Sequence, residues 1–176
     1  PADANEVREA WRIAIENRQR PTALVLTRQN LPTLDRTVYA PAEGVRRGAY
    51  VLADLGQGRP QLLLMASGSE VSLIVEAGKR LAERGLAVRL VSFPSWELFA
   101  EQEAAYQAAV LPPDLRRRVA VEAGVTQGWQ RWVGPEGRIV GLDRFGASAP
   151  AAVIFEQLGF SVAHVEAVAL ELLKQQ

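Results

Sequence analysis

The hydrophobic pattern is clearest over residues 62–81 (LLLMASGSEVSLIVEAGKRL), where a continuous apolar run gives way to apolar positions spaced three and four apart. The first half is typical of a strand buried on both faces and the second half of a one-faced helix, which predicts the front of a βαβ unit. Ser69 is expected to cap the helix, and Glu70 places a carboxylate at the positive end of its dipole. Gly85 is expected to end the helix before a further strand at residues 87–92.

The rest of the chain from about residue 48 repeats this alternation of short strands and amphipathic helices. The turn at residues 55–60 (LGQGRP) is expected to fold a strand at residues 49–54 back onto the apolar strand in antiparallel pairing. Further predicted strands lie at residues 118–122 and 138–142, and further predicted helices at 96–101, 102–110, 124–133, 151–158 and 162–173. The sum is a three-layer αβα domain around a five-stranded, mostly parallel sheet with one antiparallel strand.

The first 47 residues look like a remnant of a different α/β domain. Asp3 and Glu6 have the spacing of a capping box and open a predicted helix to about residue 18, with Val7, Ala10, Trp11, Ala14 and Ile15 on its apolar face. Residues 22–27 (TALVLT) predict a strand buried on both sides. One helix and one strand cannot bury themselves, so we expect residues 1–36 to dock on a partner surface or to move. Residues 32–48 are interpreted as a linker, which divides the chain into domains at 1–47 and 48–176.

Composition narrows the possible functions. The 176 residues are 48% hydrophobic and 23% charged, enough for one substantial core. Twenty basic and twenty acidic residues argue against nucleic acid or an anionic membrane as a partner. The absence of Cys excludes disulfides and thiolate chemistry, and the single His excludes the common multi-His metal sites. The chain begins at Pro1 without Met, which fits a fragment.

Arg28 is the strongest candidate for binding chemistry. It follows the predicted strand at residues 22–27, at the end where open α/β sheets place ligand contacts, and a guanidinium recognises phosphate oxygens bidentately. The alternative is an ordinary surface arginine. Gln29 and Asn30 are expected to hold the same loop by hydrogen bonds to its backbone.

Two weaker candidates lie in the second part of the chain. The turn Ser67-Gly68-Ser69 could cradle an anion, although a helix cap is the default interpretation. A polar crevice is the second candidate, and the alternative is that its residues cap turns or face another domain. Its residues would be Ser92, Glu122, Asp143, Arg144 and Ser148.

Several other conspicuous side chains are interpreted as structural. His164 near the start of the last helix is expected to be a solvated surface residue. The four tryptophans are expected in the core or in interfaces, and the Arg116-Arg117-Arg118 run at a loop edge. The tryptophans are Trp11, Trp96, Trp129 and Trp132.

Six motifs occur in family order and together resemble the C-terminal part of transketolase. They are RPTALVLTRQNLP (20–32), SGSEV (67–71), VSFPSWELFAEQ (91–102), AAYQAAVLP (104–112), RVAVEAG (118–124) and GLDRFGASAP (141–150). Each is weak alone, but the set is specific and spans nearly the whole chain. Deoxyxylulose-phosphate synthase and the β chains of 2-oxo-acid dehydrogenases match less well because they lack the TRQNLP and SFPSWELF forms.

The resemblance implies an enzyme of the pentose phosphate pathway that transfers a two-carbon ketol unit between sugar phosphates. In that family, Arg28 would contact the substrate phosphate, and residues 1–47 would be the tail of the pyrimidine-binding domain. Thiamine diphosphate and its divalent metal (Mg or Ca) would bind residues upstream of Pro1, so the fragment is expected to bind neither and to be inactive. Its expected partners are the remaining chain and a second copy in a cytoplasmic homodimer. The alternatives are a non-catalytic α/β module binding a small regulatory anion and a β-chain-like part of a 2-oxo-acid dehydrogenase.

Overall fold

The structure, a computed structural model, describes residues 1–174, so the last two residues of the predicted second domain lie outside the described residues. The strands are β1 (Tyr50–Leu55), β2 (Leu62–Ala66), β3 (Val88–Ser92), β4 (Arg118–Val121) and β5 (Arg138–Val140). The helices are α1 (Ala4–Glu16), α2 (Glu70–Glu83), α3 (Trp96–Ala100), α4 (Ala104–Val110), α5 (Gln130–Val133), α6 (Ala151–Gln157) and α7 (Val162–Lys174). A 3₁₀ helix (Ala42–Arg47) precedes β1. The predicted α/β class is confirmed.

The sheet has the strand order β1-β3-β2-β4-β5, and only the β1–β3 pair is antiparallel among the described strands. The predicted pairing of β1 with β2 is therefore wrong. β1 pairs with β3 instead, from Tyr50 opposite Ser92 to Leu55 opposite Val88. All five residues of β2 are buried, so β2 takes the centre of the sheet, whereas the partly exposed β1 suits an edge.

Alternate residues of β2 enter two different hydrophobic cores, which makes the domain a three-layer αβα sandwich. Leu62 and Leu64 pack in the core that contains α2 and α7. Leu63 and Met65 face the other core, which is rich in aromatic side chains. Those aromatic side chains are Phe93, Phe99, Trp129 and Trp132. The period of two in the strand thus joins both helical layers to one sheet.

The N-terminal helix α1 forms, but of its predicted apolar face only Ala10 is buried. It ends at Glu16 rather than near residue 18, and Trp11 and Ile15 of the predicted apolar face are 52% and 64% exposed. The buried face carries Glu6 and Glu9, each 0% exposed. Acidic side chains can be buried here because they meet hydrogen-bond donors and cations from elsewhere in the chain.

Glu6 binds α1 to the edge of the sheet. Its Oε1 accepts hydrogen bonds from the Tyr50 hydroxyl and the Ser92 hydroxyl, each at 2.6 Å, and its Oε2 accepts one from the Ala2 N–H at 2.7 Å. Burial, followed by the neighbouring Glu6 carboxylate, raises the pKa of Tyr50, so the phenol keeps the proton that it donates. The helix expected to dock on a partner surface or to move is therefore docked within this chain.

The strand predicted at residues 22–27 is not formed. The segment has no regular secondary structure, and Val25 and Leu26 are 86% and 45% exposed. A strand is stable only beside other strands, and this segment has no strand partner in residues 1–174. The helix of the expected remnant domain is thus present, whereas its predicted strand does not form within residues 1–174.

The C-terminal stretch Ala151–Lys174 is long and apolar enough to cross a membrane by length and composition alone. Within it the chain forms two helices, α6 and α7, separated by a turn in which Gly159 has φ of 84°. α7 packs against α2, β4 and β5, with Val165, Ala169 and Leu172 in the core. This packing is that of a core helix in an αβα sandwich.

Candidate functional site

The main candidate site is a cavity of about 770 Å³ at the C-terminal edge of the parallel strands. Residues 20–27 line one side, together with the inner face of α1. The turn after β2, the turn after β3 and the end of β4 line the other side. The connection from β2 leads to β3 on one side, and that from β4 leads to β5 on the other, so the crevice between β2 and β4 is the topological switch point where open α/β sheets bind ligands.

The turn between β2 and α2 is held by Glu70 rather than by a serine cap. Ser69 was expected to cap α2 through its side chain, but it has helical backbone angles and makes no capping bond. Its hydroxyl instead donates to Glu70 Oε1 at 2.5 Å, and Glu70 Oε2 accepts the Ala123 N–H at 3.1 Å. Glu70 thereby ties the start of α2 to the end of β4.

Glu122 makes the reciprocal link between the same two turns, since its Oε2 accepts a hydrogen bond from the Ser67 hydroxyl at 2.7 Å. Burial raises the pKa of Glu70. Burial also raises the pKa of Glu122, and the neighbouring charge of Glu70 adds to that rise. The crevice is therefore lined by two carboxyl groups whose charged forms are disfavoured by burial.

The raised pKa of Glu122 predicts a pH-dependent gain from Glu122→Gln. Glutamine keeps an oxygen for the Ser67 hydroxyl but cannot ionise. In the native protein the folded state holds the Glu122 proton more tightly than the unfolded state, so stability is lost as pH rises through the raised pKa. We expect Glu122→Gln to increase the free energy of unfolding at about pH 7, and the increase to shrink towards about pH 4. Urea denaturation at the two pH values measures both.

The exposed cavity carboxylate Glu97 supplies the matched control for this prediction. Glu97→Gln removes the same kind of charge, and we expect little change in unfolding free energy at either pH. A gain from Glu122→Gln that is as large at about pH 4 as at about pH 7 would contradict the assigned cause.

Arg28 lies at the rim of this cavity, directly after the lining residue Thr27. It is exposed, and within residues 1–174 its guanidinium has no hydrogen-bond or ion-pair partner. The loop is held by Thr27, whose hydroxyl accepts the Gln29 N–H at 3.1 Å. Arg28 thus presents all of its donors to solvent at the sheet edge, as a phosphate contact requires.

The predicted polar crevice does not assemble from the residues proposed for it. Ser92 is fully buried beneath α1 and donates to Glu6. Asp143 accepts hydrogen bonds from the Thr126 N–H and hydroxyl, both at 2.8 Å, and so fixes a loop. Arg144 and Ser148 are exposed in the loop that follows β5. Only Glu122 lines the cavity.

The interpretation of the other conspicuous residues is mostly confirmed. Trp129 and Trp132 are buried in the aromatic core, while Trp96 packs edge-on against Trp129. His164 is exposed. Two residues differ from the expectation: Trp11 is 52% exposed, and Arg118 donates to four backbone carbonyl oxygens instead of lying at a solvated loop edge. Those oxygens belong to Leu111, Pro112, Leu115 and Trp132.

Sequence reasoning missed the structural roles of Glu70, Glu6 and Arg36. A Glu at the first position of a helix was interpreted through the helix dipole, yet Glu70 binds a neighbouring strand end. Glu6 was assigned to a local capping box, yet two of its three hydrogen bonds come from β1 and β3. No local signal marks such partners, because they are brought together only by the fold.

The residues of this chain do not fit the cofactor and metal that the resemblance implies. The described residues contain no group of three or more His, Cys, Asp or Glu side chains that could hold a metal ion. The cavity is lined by Glu70, Glu97 and Glu122, and the one arginine among its lining residues, Arg20, is already paired with Glu101, so that no lining arginine is left to bind a diphosphate. No step of a reaction is therefore assigned to such groups in this chain.

Comparison with known proteins gives the family. The family model for the transketolase-like TK C-terminal domain matches residues 48–161. The chain belongs to the transketolase family. The 2-oxo-acid dehydrogenase alternative gains no support from this match.

The relatives of this transketolase-family chain are much longer than the chain. It is 51% identical to transketolase from Halalkalibacterium halodurans, with all of the chain and 26% of the relative aligned. Transketolase from Leishmania mexicana has a TM-score of 0.88 and 41% identity over 99% of this chain and 25% of its own. Transketolase from Pichia stipitis, in complex with sedoheptulose 7-phosphate, has a TM-score of 0.87 and 36% identity over 99% and 24%. The chain spans about a quarter of each relative.

Proposed function

We propose that this chain is the C-terminal quarter of a transketolase that transfers a two-carbon ketol unit between sugar phosphates. Residues 1–47 are the tail of the pyrimidine-binding domain, and residues 48–176 are the C-terminal domain. The single observation that carries the functional part is Arg28, an exposed guanidinium without a partner in the described residues, at the rim of the cavity. In this proposal, Arg28 binds the phosphate of the sugar substrate.

The chemistry of Arg28 supports a phosphate ligand. A guanidinium keeps its charge at all physiological pH values and offers donors in a planar fork that matches phosphate oxygens. The sugar-phosphate complex of the Pichia stipitis relative supports the same class of substrate. A thiamine diphosphate cofactor and a divalent metal belong to the proposed parent enzyme and bind outside this chain.

Exposed apolar residues support the remaining polypeptide as the partner of this chain. Trp11 and Ile15 face outward from α1, and Val25 and Leu26 are exposed in the neighbouring segment. Large apolar side chains grouped in this way mark an interface. We propose that the upstream domain covers them and supplies strands to residues 22–27. A homodimer and a cytoplasmic location stay predictions.

The alternative of a module that binds a regulatory anion is less well supported. The switch-point crevice carries Glu70 and Glu122, and the arginine among its lining residues, Arg20, is already paired with Glu101 at 2.5 and 2.9 Å. An anion there would meet carboxylates rather than free donors. The acidic side chains of the crevice therefore make it a less suitable anion site than Arg28, which does not line it.

The proposal is tested by assaying this chain and the full-length product side by side for ketol transfer and thiamine diphosphate binding. We expect activity and cofactor binding in the full-length protein and neither in the chain alone. Cofactor binding by the chain alone, measured by calorimetry, would contradict the proposal that thiamine diphosphate binds outside this chain. A full-length protein without ketol transfer would contradict the proposed reaction.

A further inference from the structure

The segment that carries Arg28 is anchored to the fold at both of its ends. At its start, Asn17 donates to the Thr22 hydroxyl at 3.0 Å, and Arg20 pairs with Glu101 of the second domain. At its end, the peptide of Leu34 is held by α1. The residues between have no regular secondary structure, so these anchors decide where Arg28 lies.

Asp3 is the central residue of the second anchor. Its Oδ2 accepts the Leu34 N–H at 2.9 Å, and Asn5 donates to the Leu34 carbonyl oxygen at 3.2 Å. Both oxygens of Asp3 also accept from Arg36 Nη2 at 3.0 Å. Asp3 is 3% exposed, so these bonds are shielded from water and hold their geometry.

Arg36 connects this anchor to the second domain by hydrogen bonds. Its Nη1 donates to the Ala40 carbonyl oxygen and to the Tyr50 hydroxyl, each at 2.9 Å. Tyr50 in turn donates to Glu6. The end of the Arg28 segment, α1 and the edge strand β1 therefore share one hydrogen-bonded network through Arg36.

We infer that Asp3 and Arg36 are positioning residues for Arg28, an inference that rests on the proposed function. The path from Arg28 to Leu34 is short and contains Pro32, whose ring restricts the backbone. A shift of the Leu34 peptide is therefore passed on to Arg28. Catalytic and binding groups lose much of their effect when they are displaced by a fraction of an ångström.

Asp3→Asn in the full-length enzyme tests this role with little disturbance of the helix. Asn is as good a cap as Asp and keeps an oxygen for the Glu6 N–H, which Asp3 Oδ1 accepts at 2.9 Å. Its amide group, however, replaces Oδ2, the oxygen that accepts both the Leu34 N–H and Arg36 Nη2. We expect the KM for an aldose phosphate to rise about three- to tenfold, while KM for the same aldose without phosphate and both kcat values stay unchanged.

The neighbouring Asp35→Asn is the matched control. Asp35 is exposed and accepts only from the Thr37 N–H and hydroxyl, at 2.8 and 2.7 Å, so the variant removes one charge without touching the anchor. We expect it to leave both KM values unchanged. Arg36→Lys, which keeps the charge but loses the guanidinium fork, is expected to repeat the selective rise if Asp3→Asn does not fold.

The outcomes separate this inference from the proposed function. A selective rise for Arg28→Ala but not for Asp3→Asn would overturn the positioning role alone. Equal changes with both acceptors for Arg28→Ala would overturn the phosphate contact itself. Equal changes with both acceptors for Asp3→Asn would show a merely structural role.

Discussion

Arg28→Ala in the full-length enzyme is expected to raise the KM for a phosphorylated acceptor roughly 10- to 100-fold, because hydrogen bonds to a charged group are each worth about 1.5–3 kcal/mol. The KM for the same aldose without phosphate is expected to change little. Arg28 has no partner within residues 1–174, so its removal leaves no protein group unsatisfied. Steady-state kinetics with the two acceptors measure the difference.

Arg18→Ala is the control for the lost charge, since Arg18 is also exposed on the N-terminal segment but lies outside the motif at residues 20–32 that carries Arg28. We expect it to leave both KM values unchanged. Arg28→Lys is expected to fall between wild type and Arg28→Ala, because an ammonium keeps the charge but cannot bind bidentately. Equal effects of Arg28→Ala on both acceptors would show that Arg28 does not contact the phosphate.

Glu6→Ala is expected to have the largest effect on stability, lowering the free energy of unfolding by about 3–5 kcal/mol. The substitution leaves the Tyr50 hydroxyl, the Ser92 hydroxyl and the Ala2 N–H without their acceptor in a fully buried position. Each orphaned buried polar group costs about 1–3 kcal/mol, so the loss is a large part of the total stability of a domain. Urea denaturation of the purified chain measures it.

Glu16→Ala on the same helix is the matched control. Glu16 is exposed and forms an ion pair with Arg46 at 2.9 Å, so its removal is expected to change the unfolding midpoint little. Glu6→Gln is expected to lie between the two, because its amide oxygen still accepts from the two hydroxyl groups. An effect of Glu6→Ala no larger than that of Glu16→Ala would contradict the role of the buried network.

Much of the fold was predictable because strands and helices have different hydrophobic periods. The five strands and the helices of the second part of the chain all form within a few residues of their predicted positions. The predicted cap at Asp3 also forms, because a cap needs only residues nearby in sequence. These predictions depend only on residues that are close in sequence, so the sequence alone was sufficient for them.

Apart from the Ser69 cap, the failures concern partners that are distant in sequence. The turn at residues 55–60 predicted a hairpin, yet β3 and not β2 became the neighbour of β1, because a fully apolar strand is most stable at the sheet centre. The apolar stripe of α1 predicted its buried face, yet the acidic face is buried because Tyr50, Ser92 and Ala2 offer donors to Glu6. Periodicity reports amphipathicity, and here it marks the outward face.

The candidate site likewise has a part that the sequence predicts and a part that it does not. The phosphate contact of Arg28 stays a prediction that rests on its residue type and on its place in the TRQNLP motif. The carboxylates of the adjoining cavity and the Asp3–Arg36 anchor were not predictable, because hydrogen bonds such as Glu70 to Ala123 and Arg36 to Asp3 join residues far apart in the chain.

The sequence by itself therefore determined the class of the fold and the order of its elements, because these depend on residue type and short-range spacing. Only the tertiary structure decided which strand is central, which face of α1 is buried and what holds the Arg28 segment in place. These depend on which polar and apolar groups meet in space, where burial makes every unsatisfied partner costly.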